Sequence, residues 1–437
     1  MTTKHRQPPQ AIWSTELELS NGSCTLAPPS GLVAAYARVL VRFHGESIDC
    51  VLLPLANGSI AVKEILLGLG ARPRARLRAH LAQDGFRGTA ADVAEVDWTS
   101  VDGCRGKMRE EPKVSVVVCT RDRSDILRDC LTRLQRLEYD NLEVVIVDNA
   151  PSSHATRAVF DEAVSNDVRF RYALEPRTGL SHARNRGLAE ATGKIVAFTD
   201  DDVGVDAAWV GALVRGFSRR PDIACVTGMV CAASLETPAE RFFDAKVSWA
   251  TSCEQRIYDV ATQSAGPLYP YAAGLFGTGA NMAFRTSALL SIGGFDEALG
   301  AGTRTAGGED LDIFLRTLQA GYALAYEPSA LVWHYHRSSM LGLRRQMFGY
   351  GSGLTAFVTK HVLQRQSRRA IAARIPRGLA HLTVMGRESR RSGVNSGHVR
   401  AHSLLLRELA GAIAGPYLYV ASRRHAAVGA VPKERAE

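Results

Sequence analysis

The eight cysteines of this 437-residue chain are scattered, and no two stand as a CxxC pair. That argues against a disulfide scaffold and leaves reduced thiols of a cytosolic protein as the expectation. Cys119 and Cys225 fall in apolar runs and are expected to be buried. Residues 1–10 are polar and lack an apolar segment, so no secretory leader is expected. No uninterrupted apolar stretch reaches the roughly 20 residues that a helical membrane span needs. The best candidate, residues 404–422, is interrupted by Arg407, Glu408 and Pro416, so any membrane contact is expected to be peripheral. With 46% apolar and 22% charged residues the chain can bury a sizeable core, which excludes a largely disordered or collagen-like protein. Its length predicts two or three structural units.

Positive charge is unevenly spread. The formal net charge is +9, and residues 360–400 hold ten Lys or Arg against one acid, Glu388, so that stretch alone carries the whole excess. It suits an anionic partner such as phospholipid head groups, a lipid-diphosphate acceptor or nucleic acid, and reads equally as the solvated face of a helix. The expectation is an anionic membrane surface met through residues 360–420, at the inner face of the membrane, and not nucleic acid.

Three segments read differently. Residues 1–110 hold strand-like runs around Arg38-Val-Leu-Val-Arg-Phe and Asp49-Cys-Val-Leu-Leu, with His44-Gly-Glu-Ser as a hairpin loop between them and a helix near 62–69. This is a small N-terminal α/β accessory domain without evident chemistry, followed by a linker at 102–112. Residues 113–340 alternate strand and helix. Apolar runs at 114–119 and 142–147 predict strands buried on both faces, and 168–172, 194–199 and 223–230 predict three more. Leu127, Cys130, Leu131 and Leu134 recur at helical spacing, and further helices are expected over 181–191 and 206–217. The pattern predicts an α/β fold, a doubly wound and mostly parallel sheet with helices on both faces, which binds ligands at the carboxyl ends of its strands. Residues 341–437 read as a basic, helical C-terminal extension.

What stands at those strand ends carries the chemistry. Thr120-Arg121-Asp122-Arg123 follows the first strand, Asp148-Asn149 the second, and Asp200-Asp201-Asp202 the fourth. Three adjacent carboxylates repel one another unless a cation joins them, and an oxygen-rich set suits Mg²⁺ or Mn²⁺, which complete their shell with substrate phosphates. The segment from Arg177 to Gly187 opens a helix with Arg184 and Asn185 in its first turns, and Arg suits bidentate phosphate contact. Gly308-Glu309-Asp310-Leu311-Asp312 opens another helix, where the dipole favours ionised acids. The glycine-rich approach at 300–308 reads as a mobile loop over a site. The Gly277-Thr278-Gly279 run lacks the context of a dinucleotide fingerprint. His334, at the end of an apolar run beside Trp333, reads as a third metal ligand or a core histidine.

Taken in order, these motifs resemble the family-2 glycosyltransferases of the GT-A fold, over roughly residues 113–340. The resemblance rests on Val-Ser-Val-Val-Val-Cys-Thr-Arg-Asp-Arg at the first strand, Val147-Asp148-Asn149, the Gly179 to Gly187 segment with its Ala-Arg-Asn, the DxD motif at Asp200-Asp201-Asp202, and Gly308-Glu309-Asp310. It implies that Thr120, Arg121, Asp122 and Asp148 line the base and ribose pocket, with Arg184 on the nucleotide and Asp200 on the ribose or metal. It further implies Asp202 on the metal with Asp201 as its substitute, Asp310 as general base, His334 as a metal ligand, and Trp333 and Glu309 beside the acceptor. The implied reaction moves a sugar from a nucleotide-diphosphate donor to a hydroxyl acceptor on a glycan, lipid-linked molecule or natural product. The acceptor attacks in one inverting displacement while Asp310 takes its proton, and the metal neutralises the leaving diphosphate. A sugar-nucleotide pyrophosphorylase would need a glycine-rich basic loop after the first strand, where Thr120-Arg-Asp-Arg stands instead. A non-catalytic anionic-ligand binding protein would leave the acidic clusters unexplained.

Overall fold

A computed structural model describes residues 11–84, 93–96, 98, 111–247, 249–250, 252–261, 266, 268–374 and 401–428. The greater part of the expected linker, 102–110, and residues 375–400 of the basic stretch lie outside the described residues.

In the N-terminal unit, β1 (Ala11–Glu18), β2 (Thr25–Leu26), β3 (Ala34–Phe43), β4 (Glu46–Pro54) and β5 (Ile60–Ala61) precede α1 (Val62–Gly68) and α2 (Ala71–Gln83). β1 runs parallel to β3, which forms the expected antiparallel hairpin with β4. His44 and Gly45 make its turn with φ of 50° and 79°, the left-handed region that a tight turn demands. Phe43, Ile65, Leu77 and Trp98 share the unit's own core. The unit is fastened to the rest of the chain: Arg42 Nη1 donates to Asp206 Oδ2 at 2.7 Å and Arg38 pairs with Asp244 at 2.6 Å. Ser14 Oγ donates to the Ala232 carbonyl at 2.6 Å.

The central unit begins with β6 (Val114–Thr120), α3 (Ser124–Leu134), β7 (Leu142–Asn149), α4 (Ala155–Val164), β8 (Phe170–Glu175), α5 (Leu180–Glu190) and β9 (Ile195–Asp200). It continues through β10 (Val203–Val205), α6 (Trp209–Ser218), β11 (Ile223–Ala232), α7 (Pro238–Val247), β12 (Arg256–Tyr258), β13 (Asn281–Arg285), α8 (Thr286–Ser291), α9 (Glu309–Gln319) and β14 (Ala323–His334). The strand order is β10-β14-β11-β13-β9-β6-β7-β8, with β12 on β14. Every residue of β6 and β7 is buried, as the continuous apolar runs require. Alternation splits β6 between two cores. Val116 and Val118 pack with Leu127, Val159 and Trp209 of α3, α4 and α6, while Val117 packs with Leu188 and Phe314 of α5 and α9. The doubly wound, two-faced α/β sheet is therefore as expected. Three strands run antiparallel to their neighbours: β13 separates β9 from β11, and β10 and β12 pair with β14. The five residues of β13 follow the Gly277-Thr278-Gly279 run. Strand three starts at Phe170, not 168, where Val168 is exposed.

The C-terminal residues form α10 (Met340–Leu363), α11 (Arg365–Ala372) and α12 (Ala401–Val428). One reading is corrected here. Pro416 lies inside a continuous helix, and within it His402–His425 is long and apolar enough, by length and composition, to cross a membrane, with mean hydropathy 1.2. The helix is nonetheless seated along α10. A Cβ on Gly411 would stand 2.1 Å from the Phe348 carbonyl oxygen, and one on Gly415 1.9 Å from Thr355 Oγ1, so only glycine permits this approach. α10 packs against the central unit: Ser352 Oγ donates to the Thr305 carbonyl at 2.7 Å, which joins the 300–308 loop to the helix.

Asp312 of α9 joins these parts. It is fully buried and faces Lys360 at 2.7 Å, Arg316 at 2.8 Å and His361 Nε2 at 3.1 Å. Burial alone would raise its carboxyl, but His361, Arg316 and Lys360 outweigh burial and hold it well below the usual carboxylate range. A depressed folded-state pKa stabilises above the unfolded value of about 3.9 and is lost only as pH falls below it, so the contribution is intact at neutral pH. Asp312→Ala leaves buried cations uncompensated and is expected to cost about 3–5 kcal/mol, read as a lowered denaturant midpoint.

Candidate active site

Sheet register sets the site. Thr120 lies opposite Asp148, and Cys119 opposite Asp200, across the parallel strands β6, β7 and β9. The carboxyl ends of three strands thus finish level. β10 follows Asp202 at once and pairs antiparallel with β14, placing Val203 against His334. That pairing delivers a histidine over a hundred residues away to the acidic turn, and the Tyr335 amide donates to the Asp202 carbonyl at 3.1 Å. Antiparallel β13 brings Gly279 to the same edge.

The edge opens into a cavity of about 560 Å³, in the range of small-ligand sites. Thr120, Arg121, Arg184, Asp200, Asp201, Asp202, Glu309, Asp310 and His334 all line it. The three adjacent aspartates differ. Asp201, 3% exposed, is consumed by its neighbours: Thr120 Oγ1 donates to Oδ2 at 2.7 Å and Arg123 Nη1 to Oδ1 at 2.5 Å. Burial, only partly offset by Arg123, raises it to about 6. Asp200 and Asp202, at 28% and 11%, keep faces toward the cavity. Arg123 Nη2 donates to Asp202 Oδ2 at 2.8 Å, and Asp202 Oδ1 stands 3.7 Å from His334 Nε2.

Asp202 and His334 face each other. Burial pulls His334 down to about 4. Asp202 lies below its ordinary range despite burial, because His334, Arg123 and Arg337 face it. At neutral pH the pair is an imidazole and a carboxylate, the states in which both groups can ligate a metal. His334 Nδ1 lies 3.0 Å from His336 Nδ1, which leaves Nε2 as the nitrogen toward Asp202. A carboxylate-rich set with one imidazole fits Mg²⁺ or Mn²⁺.

Arg184 is 2% exposed and works inward. Nη1 donates to Glu309 Oε1 at 3.0 Å, and Nη2 to Asp200 Oδ1 at 3.3 Å and to the Gly279 carbonyl at 3.1 Å. A Cβ at Gly279 would fall 2.8 Å from Nη2, which is why glycine stands there. Glu309 is buried against this guanidinium; burial, then Asp310, raises it to about 7, with Arg184 opposing. Asp310 is held differently. Its Oδ2 accepts from the Gly279 amide at 3.0 Å and its Oδ1 from the Leu311 amide at 2.8 Å, at the start of α9, where Gly308 caps with φ of 91°.

Some assigned residues stand outside the cavity lining. Asp148 is fully buried under β8, accepting from Tyr172 OH at 2.7 Å, while its Oδ1 has no hydrogen-bond partner among the described residues. Asp122, at φ 52°, accepts from the Ser152 amide and hydroxyl at 2.8 and 2.9 Å and ties two strand-end loops together. The placement of Trp333 is corrected: strand alternation turns it away from His334, and it packs near Met229, Cys231 and Leu331. Trp249 lines the cavity instead, with its ring 5.6 Å from that of His334. Trp249 and Tyr350 carry no local signal in the sequence. Arg123 was in plain view in the loop after strand one, and only its two contacts reveal its part.

Residues 115–289 match the family model described as glycosyl transferase family 2. These residues form a family-2 glycosyltransferase domain. The domain is similar to a pre-mycofactocin glycosyltransferase of Mycobacterium tuberculosis, 30% identical over 57% of this chain and 48% of that protein. It is also similar to a glucosyl-dolichyl phosphate glucuronosyltransferase of Haloferax volcanii, 28% identical over 51% of this chain and 69% of that protein. The matched part spans about half the length of the first of these relatives. A mannosyltransferase of Pyrobaculum calidifontis, solved with GDP-Man and Mn2+, aligns at a TM-score of 0.45 and 19% identity over 75% of this chain and 89% of that one. The family match ends at residue 289; Asp310, His334 and the α10 residues that also line the cavity lie beyond it.

Proposed function

We propose that this protein transfers a sugar from a nucleotide-diphosphate donor to a hydroxyl acceptor with inversion, assisted by Mg²⁺ or Mn²⁺. The observation that carries the reading is the opposition of Asp202 and His334 to Asp310 across one cavity. Asp200, Asp202 and His334 would hold the metal, which, when bound, offsets charge on the departing diphosphate. Thr120 and Arg121, which line the cavity, are the donor-side groups, with Asp148 held by Tyr172 outside the lining and Asp122 bracing the loop that carries them. Asp310 is the base: two backbone amides fix its carboxylate without neutralising it, so it can receive the acceptor proton as the new bond forms. Glu309 balances Arg184 and orients that arginine toward Asp200.

The named relatives act on molecules as unlike as pre-mycofactocin and a dolichyl phosphate, so the acceptor class stays broad. The direct test is release of free nucleotide diphosphate from a panel of sugar nucleotides, with and without Mn²⁺. Transfer from none of them, or transfer undiminished after exhaustive chelation, defeats the reading.

A peripheral membrane position belongs to the same proposal. Its support is a stripe on α12: Leu406, Ile413 and Tyr417 are 66%, 82% and 76% exposed. Lys360 no longer counts toward a lipid-facing patch, because it is spent on Asp296 and Asp312. Glu408 pairs with Lys246 at 2.8 Å and Tyr419 OH lies 3.4 Å from Asp296 Oδ2, which tethers the helix to the body and favours lying on a surface over crossing it. Each nearby cation adds roughly 1 kcal/mol on an anionic membrane. Co-sedimentation with phosphatidylserine vesicles is expected to fall with salt and with Ile413→Ser. Equal binding to neutral vesicles counts against it.

A further inference from the structure

Outside the glycosyltransferase domain the N-terminal unit holds a cluster that its sequence did not advertise. His44 sits in the β3–β4 turn. His80 and Asp84 stand four residues apart at the end of α2, where that spacing puts two side chains on one helix face. His44 Nδ1 lies 3.0 Å and His80 Nε2 3.4 Å from the same oxygen, Asp84 Oδ2. The three side chains are 7%, 10% and 2% exposed. A carboxylate this deeply buried needs a compensating partner, yet neither Asp84 oxygen takes a hydrogen bond from a described residue.

The ligand atoms of His44, His80 and Asp84 all lie within 4.8 Å of one another, close enough to share one ion. A tetrahedral ion with ligands about 2.0–2.1 Å away sets its ligands roughly 3.3–3.4 Å apart, and the two separations here bracket that edge. A fourth residue acts from behind: Glu46 Oε2 lies 3.2 Å from His80 Nδ1. With both its nitrogens facing carboxylate oxygens, His80 carries either a second proton or a metal on Nε2. A carboxylate behind a histidine is the usual support of a metal-bound imidazole. The negative end of the α2 dipole adds a further preference for a cation.

We propose that His44, His80 and Asp84, with Glu46 orienting His80, form a structural Zn²⁺ site that ties the β3–β4 turn to the end of α2. Two imidazoles and one carboxylate favour zinc over Mg²⁺ or Mn²⁺, which keeps this site chemically distinct from the acidic cavity. The proposal does not depend on the transfer reaction.

The test uses the full chain, stripped of metal and dialysed against Zn²⁺ alone, with zinc counted in wild type, Asp84→Asn, His44→Gln, Glu46→Gln and Asp202→Asn. Wild type and Asp202→Asn are expected to retain one tightly held zinc that Asp84→Asn and His44→Gln lack, and Glu46→Gln to bind it roughly 10- to 100-fold more weakly. Co²⁺ added to stripped wild type should give the visible bands of a tetrahedral ion, a readout that needs no variant to fold. The thermal midpoint should rise with Zn²⁺ in wild type and not in Asp84→Asn. Equal zinc retention in wild type and Asp84→Asn, loss of the zinc in Asp202→Asn, or an octahedral Co²⁺ spectrum would each overturn the proposal and leave His80 an imidazolium between two carboxylates.

Discussion

Asp310→Asn is expected to lower the rate of sugar transfer by about 10²- to 10⁴-fold while donor affinity stays at the wild-type level. The substitution keeps the shape of the side chain and, with its single acceptor oxygen, one of the two backbone amide contacts, but a carboxamide cannot take up the acceptor proton. Its neighbour provides the control. Glu309 is buried against Arg184, so Glu309→Gln unbalances that guanidinium and should disturb Asp200 and donor binding more than the proton transfer. Single-turnover rates at saturating donor, set beside nucleotide-diphosphate affinity, separate the two. If Asp310→Asn lost donor binding and kept its single-turnover rate, Asp310 would be a donor or metal ligand and Glu309 the first alternative base.

Removal of the divalent ion should be the second large effect. Charge neutralisation at a leaving diphosphate is worth several kcal/mol, which at about 1.4 kcal/mol per decade is a loss on the order of 10³-fold. Exhaustive chelation and Asp202→Asn are expected to converge on the same low rate, and Mn²⁺ should restore the chelated wild type only. Asp201→Asn is the informative contrast. Its carboxylate is tied to Thr120 and Arg123 and faces inward, so its loss should weaken folding and leave the metal requirement in place. Full activity in a preparation shown to contain no metal would refute the requirement.

Much of the frame was legible beforehand. The runs at 114–119 and 142–147 are too apolar for a strand with a wet face, and that alone announces a sheet covered on both sides. Acids and a threonine at successive strand ends announce a site, because parallel strands in register finish level. β13 was not legible. Its five residues are too few to announce a strand until β9 and β11 stand on either side to supply their hydrogen bonds. Trp333 and His334 are neighbours on β14, and strand alternation sends neighbouring side chains to opposite faces, so only one of the two lines the cavity.

The sequence by itself determined the layered α/β class, the order of the acidic motifs and the family to which residues 115–289 belong. All of these are local or periodic properties of the chain. Only tertiary structure decided which aspartate faces the cavity, that Arg123 bridges two of them, and that His334 and α10 complete the site. It also decided that His44, at one end of a hairpin, meets His80 and Asp84 at the end of a helix. Contacts between residues tens to hundreds of positions apart are set by how packed elements align. No pattern along the chain records that alignment.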